Sequence, residues 1–477
     1  MRFSIWSQLI VSCACVAALG CSSATTDSPA DSRGGAGNAG SNGGMGGSGA
    51  SSAGGAFGGG AGAASGGAGT AGAAQGGTGG SDDLGGGAPT AGSGGVNTGG
   101  GILGPTGLVH PGILVNKDML EFVKGKIASG AEPWKSALSH ASSNNMGSLS
   151  YTAHPHDNVQ CGPSSNPDIG CTDEKNDVIA AYTHALIWYH TGDQKHADKA
   201  IQIMNAWSST LKKHTFDNEQ LQASWAAEIF PRAAEIIRYS NAGWSEADIK
   251  QFSTMLKTAY LPEVVNGSTR TGNWDTSAIE ADMNIAIFDD DMENFQNAVK
   301  LWRARTPAYI YLSSDGPLPV QPPRESPRSD SDLKGYWWSP TKFIDGITQE
   351  SCRDQPGGGT QGFGHAQYGV AAIINAAETA RIQGVDLLQE ERARLSAMLE
   401  FHSKYLNGAS TSGLCAKTIE NVGPDPMWEI GYNEYANVLG GSLPETQKLV
   451  KSIRPTDATH HMAWETLTHG DIANAGF

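Results

Sequence analysis

Three side chains in the second half of the chain could together move a proton on an acidic sugar. Arg353, His365 and Tyr368 fall within the stretch Gln349–Leu388, with Glu350 and Asp354 flanking the arginine. A guanidinium is a planar fork that matches a carboxylate. An imidazole donates or accepts a proton near neutral pH. A phenol ordinarily titrates near ~10, and an adjacent cation draws it toward the phenolate. His365 and Tyr368 are three positions apart, so on a helix they share a face. A second cluster lies upstream, in NGSTRTGNWD at 266–275. Its Asn and Gly residues read as a turn, but a turn alone does not call for Trp274. Asn273 offers an amide donor, Trp274 a ring on which a sugar can stack, and Arg270 a nearby cation. Glu280 follows Asn273 by about two helical turns, inside an otherwise apolar segment, so both can face one cleft. Each of these residues also has a purely structural explanation: a core tryptophan, a solvated glutamate, a half-buried helix tyrosine, or a histidine bound to backbone at a helix start.

The elements that must hold these groups read as helices almost throughout. After Leu114 the apolar spacing predicts a helix capped by Asn116 and another around Trp134–Leu138. Further helices are expected at Asp177–Tyr189, Ala197–Leu211, Leu221–Tyr239 with a kink at Pro231, Ile249–Tyr260 behind a Ser245 cap, Ala278–Phe288 and Asp291–Arg305. A long helix carries His365 and Tyr368 in its first turn and continues toward Leu388. Only Ala308–Leu312 reads as a strand. Helices in succession joined by short connections, without alternating strands, predict an all-α domain. The helix count suits an α/α toroid, incomplete and built as one domain; a stacked solenoid has the same pattern. Long polar loops near 151–172, 262–277, 313–348 and 353–364 are where a ligand would be met.

Composition bounds the rest. The chain has 477 residues, of which 63 are glycine. Residues 1–21 read as an export signal whose Ala18-Leu19-Gly20-Cys21 is a lipobox-like site, with Cys21 the lipidated residue. Residues 22–103 are mostly Gly, Ala, Ser and Thr and can bury almost nothing, so they read as a flexible tether. That leaves 104–477 as the folded unit. An exported, lipid-anchored protein of the bacterial envelope is expected, periplasmic or at the cell surface, at the outer membrane. Cysteine usage agrees with an oxidising compartment. Cys161, Cys171, Cys352 and Cys415 allow three pairings; the favoured one joins Cys161 to Cys171, closing a polar loop, and Cys352 to Cys415. No spacing supports a zinc site. A formal net charge of −16 argues against nucleic acid as a partner and requires any site for an anionic polymer to be locally basic.

Several separated phrases carry a resemblance. HPGIL at the domain start, TGNWD at 271–275, QESCRD at 349–354, GHAQYG at 364–369, WEIGYNEY at 428–435 and RPTDATHHMAWETLTHG at 454–470 resemble the alginate-lyase domain family of polysaccharide lyases. The resemblance spans nearly everything after His110. It implies an α/α toroid and β-elimination on a 4-linked uronate: alginate first, a glucuronan-like polymer second. A monomer without a cofactor is expected. The resemblance also implies roles. Tyr368 becomes the acid/base, Asn273 a neutraliser of the C6 carboxylate, Arg353 a partner of carboxylate or phenolate, and His365 a second neutraliser or an orienter of Tyr368. Trp274, Glu280, Arg270 and Glu350 become substrate contacts. The chain departs from better-known members in having Gly272-Asn273-Trp274 where they have Asn-Asn-His, and Glu280 is expected to take part of the missing role. It also inserts QPGGGTQGF after Asp354; were Arg353 displaced by it, Arg270, Arg324 or Arg328 would have to serve. Two other classes stay open. A glycoside hydrolase on a similar toroid would need two opposed carboxylates, for which Asp275 with Glu280 or Glu350 with Asp354 are available. A glycan-binding lipoprotein that has lost the chemistry would need neither.

Overall fold

A computed structural model describes residues 99–268, 270, 272–354 and 361–472. The export signal with Cys21, the tether up to residue 98 and positions 355–360 of the glycine-rich insertion lie outside the described residues. In chain order the helices are α1 (Lys117–Ala128), α2 (Trp134–Ser143), α3 (Cys171–Thr191), α4 (Gln194–Thr210), α5 (Glu219–Arg238), α6 (Glu246–Met255), α7 (Leu261–Val264), α8 (Asn273–Phe288), α9 (Met292–Tyr309), α10 (Asp330–Tyr336), α11 (Gly362–Ile382), α12 (Leu387–Glu390), α13 (Arg392–Leu406), α14 (Glu429–Tyr432), α15 (Pro444–Ile453) and α16 (Glu465–His469). Short strands decorate them. β1 (Ile102–Leu103) pairs with β2 (Val109–His110); β3 (Asn158–Cys161) lies between β4 (Asp168–Ile169) and β5 (Lys213–Thr215); and β6 (Ala458–Thr459) forms a hairpin with β7 (Met462–Ala463).

The helices circle a central space. α3 packs on α5, α5 on α8, α8 on α11, α11 on α14 and α14 on α16, while α16 meets α1 and α2, which return to α3. This closure separates a toroid from a solenoid, whose end units would not meet. The inner helices are buried on nearly every side, as their unbroken apolar character requires; all residues of α8 from Asn273 to Phe288 are buried. α4, α6 and α9 form an outer layer against them and keep one polar face.

Local signals set many of the boundaries. The Asn116 side chain accepts from Met119 N at 2.9 Å and starts α1, and Ser245 Oγ accepts from Asp248 N at 3.2 Å to start α6. Two expectations need correction. α8 begins at Asn273, five residues ahead of the expected Ala278, because Gly272 turns the chain sharply with φ 75° and Asp275 in the first turn accepts from Ser268 N at 2.9 Å. α9 runs on through Pro307 to Tyr309, absorbing the start of the expected strand; of that strand only Ile310 pairs, in a single bridge with Thr348. The disulfides Cys161–Cys171 and Cys352–Cys415 are both formed.

The ring encloses a polar interior. Arg232 on α5 pairs with Glu280 on α8, Asn375 on α11 lies 3.5 Å from the same carboxylate, and Arg232 also donates to the His461 carbonyl at 3.2 Å. Nearby, Glu465 Oε2 accepts from Glu429 N at 2.9 Å and so caps α14. Burial, and then the neighbouring Glu429, push the Glu465 carboxyl up to about 8, and burial pushes Asp282 up to about 7. A carboxyl raised in the folded state contributes stability that is complete below its unfolded pKa and is lost as pH rises through the folded value. Buried neutral histidines such as His402, which burial lowers to about 4, oppose this only below their unfolded pKa of ~6.5. The melting temperature is therefore expected to fall between roughly pH 6.5 and 8.5. Glu465→Gln, which keeps the carbonyl acceptor for the α14 cap, should flatten that fall. A melting temperature that rises over this window contradicts the assignment.

Candidate active site

The N-terminal ends of α8 and α11 open on one side of the ring into a cavity of about 780 Å³. α11 supplies His365 and Tyr368, and the start of α8 supplies Asn273 and Trp274. Glu350, Arg353 and Asp354 come from the segment ahead of α11, Trp225 and Gln222 from α5, Lys175 from α3, and His460 from the turn between β6 and β7.

Glu350 organises one wall. Its carboxylate accepts from Asn273 N at 2.6 Å, Asn273 Nδ2 at 3.0 Å, Tyr309 OH at 2.9 Å and Arg353 Nη1 at 2.7 Å. It is itself buried, and charge-assisted bonds of this kind are the strong ones. The carboxylate leaves no space beside Gly272: a Cβ there would sit 2.3 Å from Glu350 Cδ. Glu350 is thus fully engaged by the protein and holds Asn273 and Arg353 at the cavity, rather than serving as the free substrate contact expected of it. Arg270 stacks its guanidinium 4.3 Å from the centre of the Trp274 ring, a cation–π pair on the same wall.

The opposite character belongs to a set of rings. His365 Nδ1 lies 3.3 Å from the Gln361 carbonyl, which can only accept, so Nδ1 carries the proton and Nε2 is left as the acceptor. Burial and then the Arg353 charge lower its pKa. Tyr368 packs against His460 with ring centres 4.9 Å apart, and Trp225 lies edge-on to both at 5.7 and 4.6 Å. Its hydroxyl has no hydrogen-bond partner among the described residues. The phenol pKa moves opposite to the sequence expectation: burial, and then the Asp425 carboxylate, push it up to about 12. Arg353 is paired with Glu350 through Nη1 and does not offset this. Burial, followed by the charge of Lys175, lowers His460 to about 3; Thr459 Oγ1 contacts its Nδ1 at 2.9 Å.

The remaining expectations divide. Arg353 stays at the cavity despite the insertion. Arg324 is committed to Asp275 at 2.6 and 2.7 Å, and Arg328 to Glu325; neither lines the cavity. Glu280 shares α8 with Asn273 but faces the ring interior, fully buried and paired to Arg232, so it does not reach a ligand in the cavity. Neither carboxylate pair nominated for hydrolysis is free. Asp275 and Glu280 are tied to arginines, Glu350 is saturated, and Asp354 is paired with Lys417 at 2.9 Å. His460 and Lys175 were not singled out in the sequence. The only signal for His460 was the His460-His461 doublet within the last of the family-like phrases, and Lys175 carried none.

With this geometry established, known proteins place the chain. The alginate lyase family profile matches residues 162–412, from the Cys161–Cys171 loop to the segment that follows α13. The chain belongs to the alginate lyase family. Among solved structures it is similar to alginate lyase A1-III from Sphingomonas species A1, at 15% identity with a TM-score of 0.53, covering 73% of this chain and 92% of that one. A histidine-to-alanine variant of alginate lyase A1-III complexed with a tetrasaccharide matches with a TM-score of 0.50 and 14% identity, over 70% of this chain and 91% of that one. Among curated proteins no match was found. At these identities the structural likeness carries the fold, an incomplete α/α toroid, and family membership makes the chain a polysaccharide lyase.

The Glu350 hub is open to test. Glu350→Gln keeps the shape but turns an N–H group toward donors from Asn273 or Arg353. Lyase turnover should fall roughly 100-fold through misplacement of those two side chains, with helical circular dichroism unchanged. Near-normal turnover contradicts the hub.

Proposed function

We propose that the protein depolymerises a 4-linked polyuronate by β-elimination, with alginate the first candidate and a glucuronan-like polymer the second. The observation that carries this reading is the pairing, at one cavity, of a protonated phenol and a neutral imidazole with a wall of amide and guanidinium donors. In the reaction the C6 carboxylate is held by Arg353 and Asn273, which makes the C5 proton more acidic. His460, neutral because it is buried, takes that proton; the C–H electron pair forms the C4–C5 double bond; and the C4–O4 bond breaks. Tyr368, protonated because its pKa is raised, gives its proton to the departing O4. The imidazolium then returns its proton to the phenolate, and both groups are restored. A free phenolate is not required at the outset, so the upward shift of Tyr368 fits an acid better than a base.

The two proton-transfer rings lie side by side. They suit a uronate whose H5 and O4 leave from the same face of the ring, as in β-D-mannuronate and β-D-glucuronate. In α-L-guluronate these atoms lie on opposite faces. Family membership and the cavity support the polyuronate, and the contact of Tyr368 with His460 supports the choice among uronates. The reading includes export and lipid anchoring through Cys21, which rests on the lipobox-like tetrapeptide and the tether composition.

Incubation with polymannuronate, glucuronan and polyguluronate, followed by ultraviolet absorbance of the unsaturated product, tests both parts. Absorbance should grow with the first two substrates and far more slowly with polyguluronate. Tyr368→Phe should lower kcat by roughly 100- to 10,000-fold, the usual contribution of a general acid. No unsaturated product from any polyuronate, with the protein folded, overturns the function; near-normal kcat in Tyr368→Phe overturns the role of the phenol.

A further inference from the structure

A second cavity of about 280 Å³ adjoins the first, with Trp338 and Asp354 lining both. Its far side is Lys417 and Ala416, next to the Cys352–Cys415 disulfide. Three features of this place are not explained by packing.

The first is the orientation of Trp338. Of the adjacent pair Trp337 and Trp338, the former is buried against Phe343 at 5.7 Å while the latter is 39% exposed. Trp338 and Ser339 both adopt left-handed backbone conformations, with φ 59° and 50°, which bulky side chains disfavour. Hydrogen bonds from Trp338 N to Gly335 O at 2.9 Å and from Ser339 N to Lys334 O at 2.8 Å hold the turn. The result is an indole aimed at the shared rim, with the Arg353 guanidinium 5.9 Å from its ring centre.

The second is the way the far rim is secured. Besides the disulfide, Pro340 pairs with Cys415, Thr341 N donates to Leu414 O at 3.0 Å and Thr341 Oγ1 donates to Gly413 O at 2.6 Å. The loop carrying Lys417 is therefore tied to the segment carrying Trp338 and to Arg353 through the neighbouring Cys352. The third is charge. In a chain of net charge −16, Arg270 and Arg353 at the first cavity are continued by Lys417 at the second. The Lys417 ammonium meets Asp354 at 2.9 Å with both side chains nearly half exposed, a solvent-screened pair that exchanges partners at little cost.

We infer that this second cavity is a further sugar subsite, which takes another uronate residue of the polymer bound at the active site. The pyranose ring rests on the Trp338 indole and the sugar carboxylate replaces Asp354 on Lys417, leaving Asp354 to accept from sugar hydroxyls. This assignment rests on the proposed polyuronate substrate, and it implies that affinity rises with chain length until Lys417 is reached.

Calorimetric binding of trimannuronate and hexamannuronate to the whole protein carrying Tyr368→Phe, so that the oligomers are not cleaved during the titration, tests it without relying on turnover. Lys417→Ala should weaken the hexamer roughly 5-fold, the effect of losing one exposed ion pair, and leave the trimer unchanged. Lys417→Arg should restore the hexamer. Trp338→Ala should cost the hexamer more than Lys417→Ala does. Equal affinities with and without Lys417→Ala for the hexamer in the Tyr368→Phe background, equal losses for both oligomers, or no hexamer binding at all would each overturn the subsite. Hexamer binding that follows the expected order, with no unsaturated product from the protein in which Tyr368 is intact, would sustain the subsite and sink the lyase reading instead.

Discussion

A single buried carboxylate fixes the reactive end of this toroid. Glu350 lies where the start of α8, the end of α9 and the segment ahead of α11 converge, and it receives donors from all three: Asn273, Tyr309 and Arg353. A carboxylate withdrawn from water must be matched by donors of this number and quality, so the three elements are held to one geometry. Gly272 is part of the same constraint, since only a residue without a side chain fits against the carboxylate while turning the chain into α8 with φ 75°. Asn273 and Arg353 reach the cavity as a consequence. They are presented by a protein charge rather than left to find the substrate on flexible stems, which is how a donor set is made ready before a ligand arrives.

Burial divides the labour in the cavity. The same desolvation keeps His460 neutral and Tyr368 protonated, so in the proposed reaction both proton-transfer groups start uncharged. On the proposed reading, an acidic protein thus offers a locally basic surface to a polyanion while its proton-transfer groups remain uncharged.

The sequence disclosed much of this, and its failures have physical causes. Arg353, His365, Tyr368 and Asn273 converge at the cavity because chemistry-bearing residues at helix starts and in adjoining loops stand out against apolar periodicity. An all-α domain was legible because successive apolar helices with short connections must bury their faces on one another; the toroid rested on the family resemblance, since a stacked solenoid has the same pattern. Glu280 misled because α8 is buried all round: with no polar face to set the phase, spacing cannot say whether a carboxylate looks into the cleft or into the ring interior. Glu350 was expected to touch substrate, yet what it holds becomes visible only when α9 brings Tyr309 beside it. His460 was invisible as a site residue, since a hairpin far along the chain carries it to Tyr368. The pKa of Tyr368 was misjudged because the cation thought to lower it is already paired, and burial decides the direction instead. The expected strand at 308–312 yielded to the continuation of α9, an instance of tertiary packing overriding a short β-branched and aromatic run.

The central claim is that one uronate is held with its carboxylate on the Glu350-organised donors and its scissile oxygen at the phenol. A crystal structure of Tyr368→Phe with mannuronate tetrasaccharide measures this directly. The account predicts the C6 carboxylate within hydrogen-bond distance of Asn273 and Arg353, and the glycosidic O4 facing the vacated position of the Tyr368 hydroxyl beside His460. A tetrasaccharide whose carboxylates all avoid Asn273 and Arg353, or whose glycosidic oxygens all face away from residue 368, would contradict it.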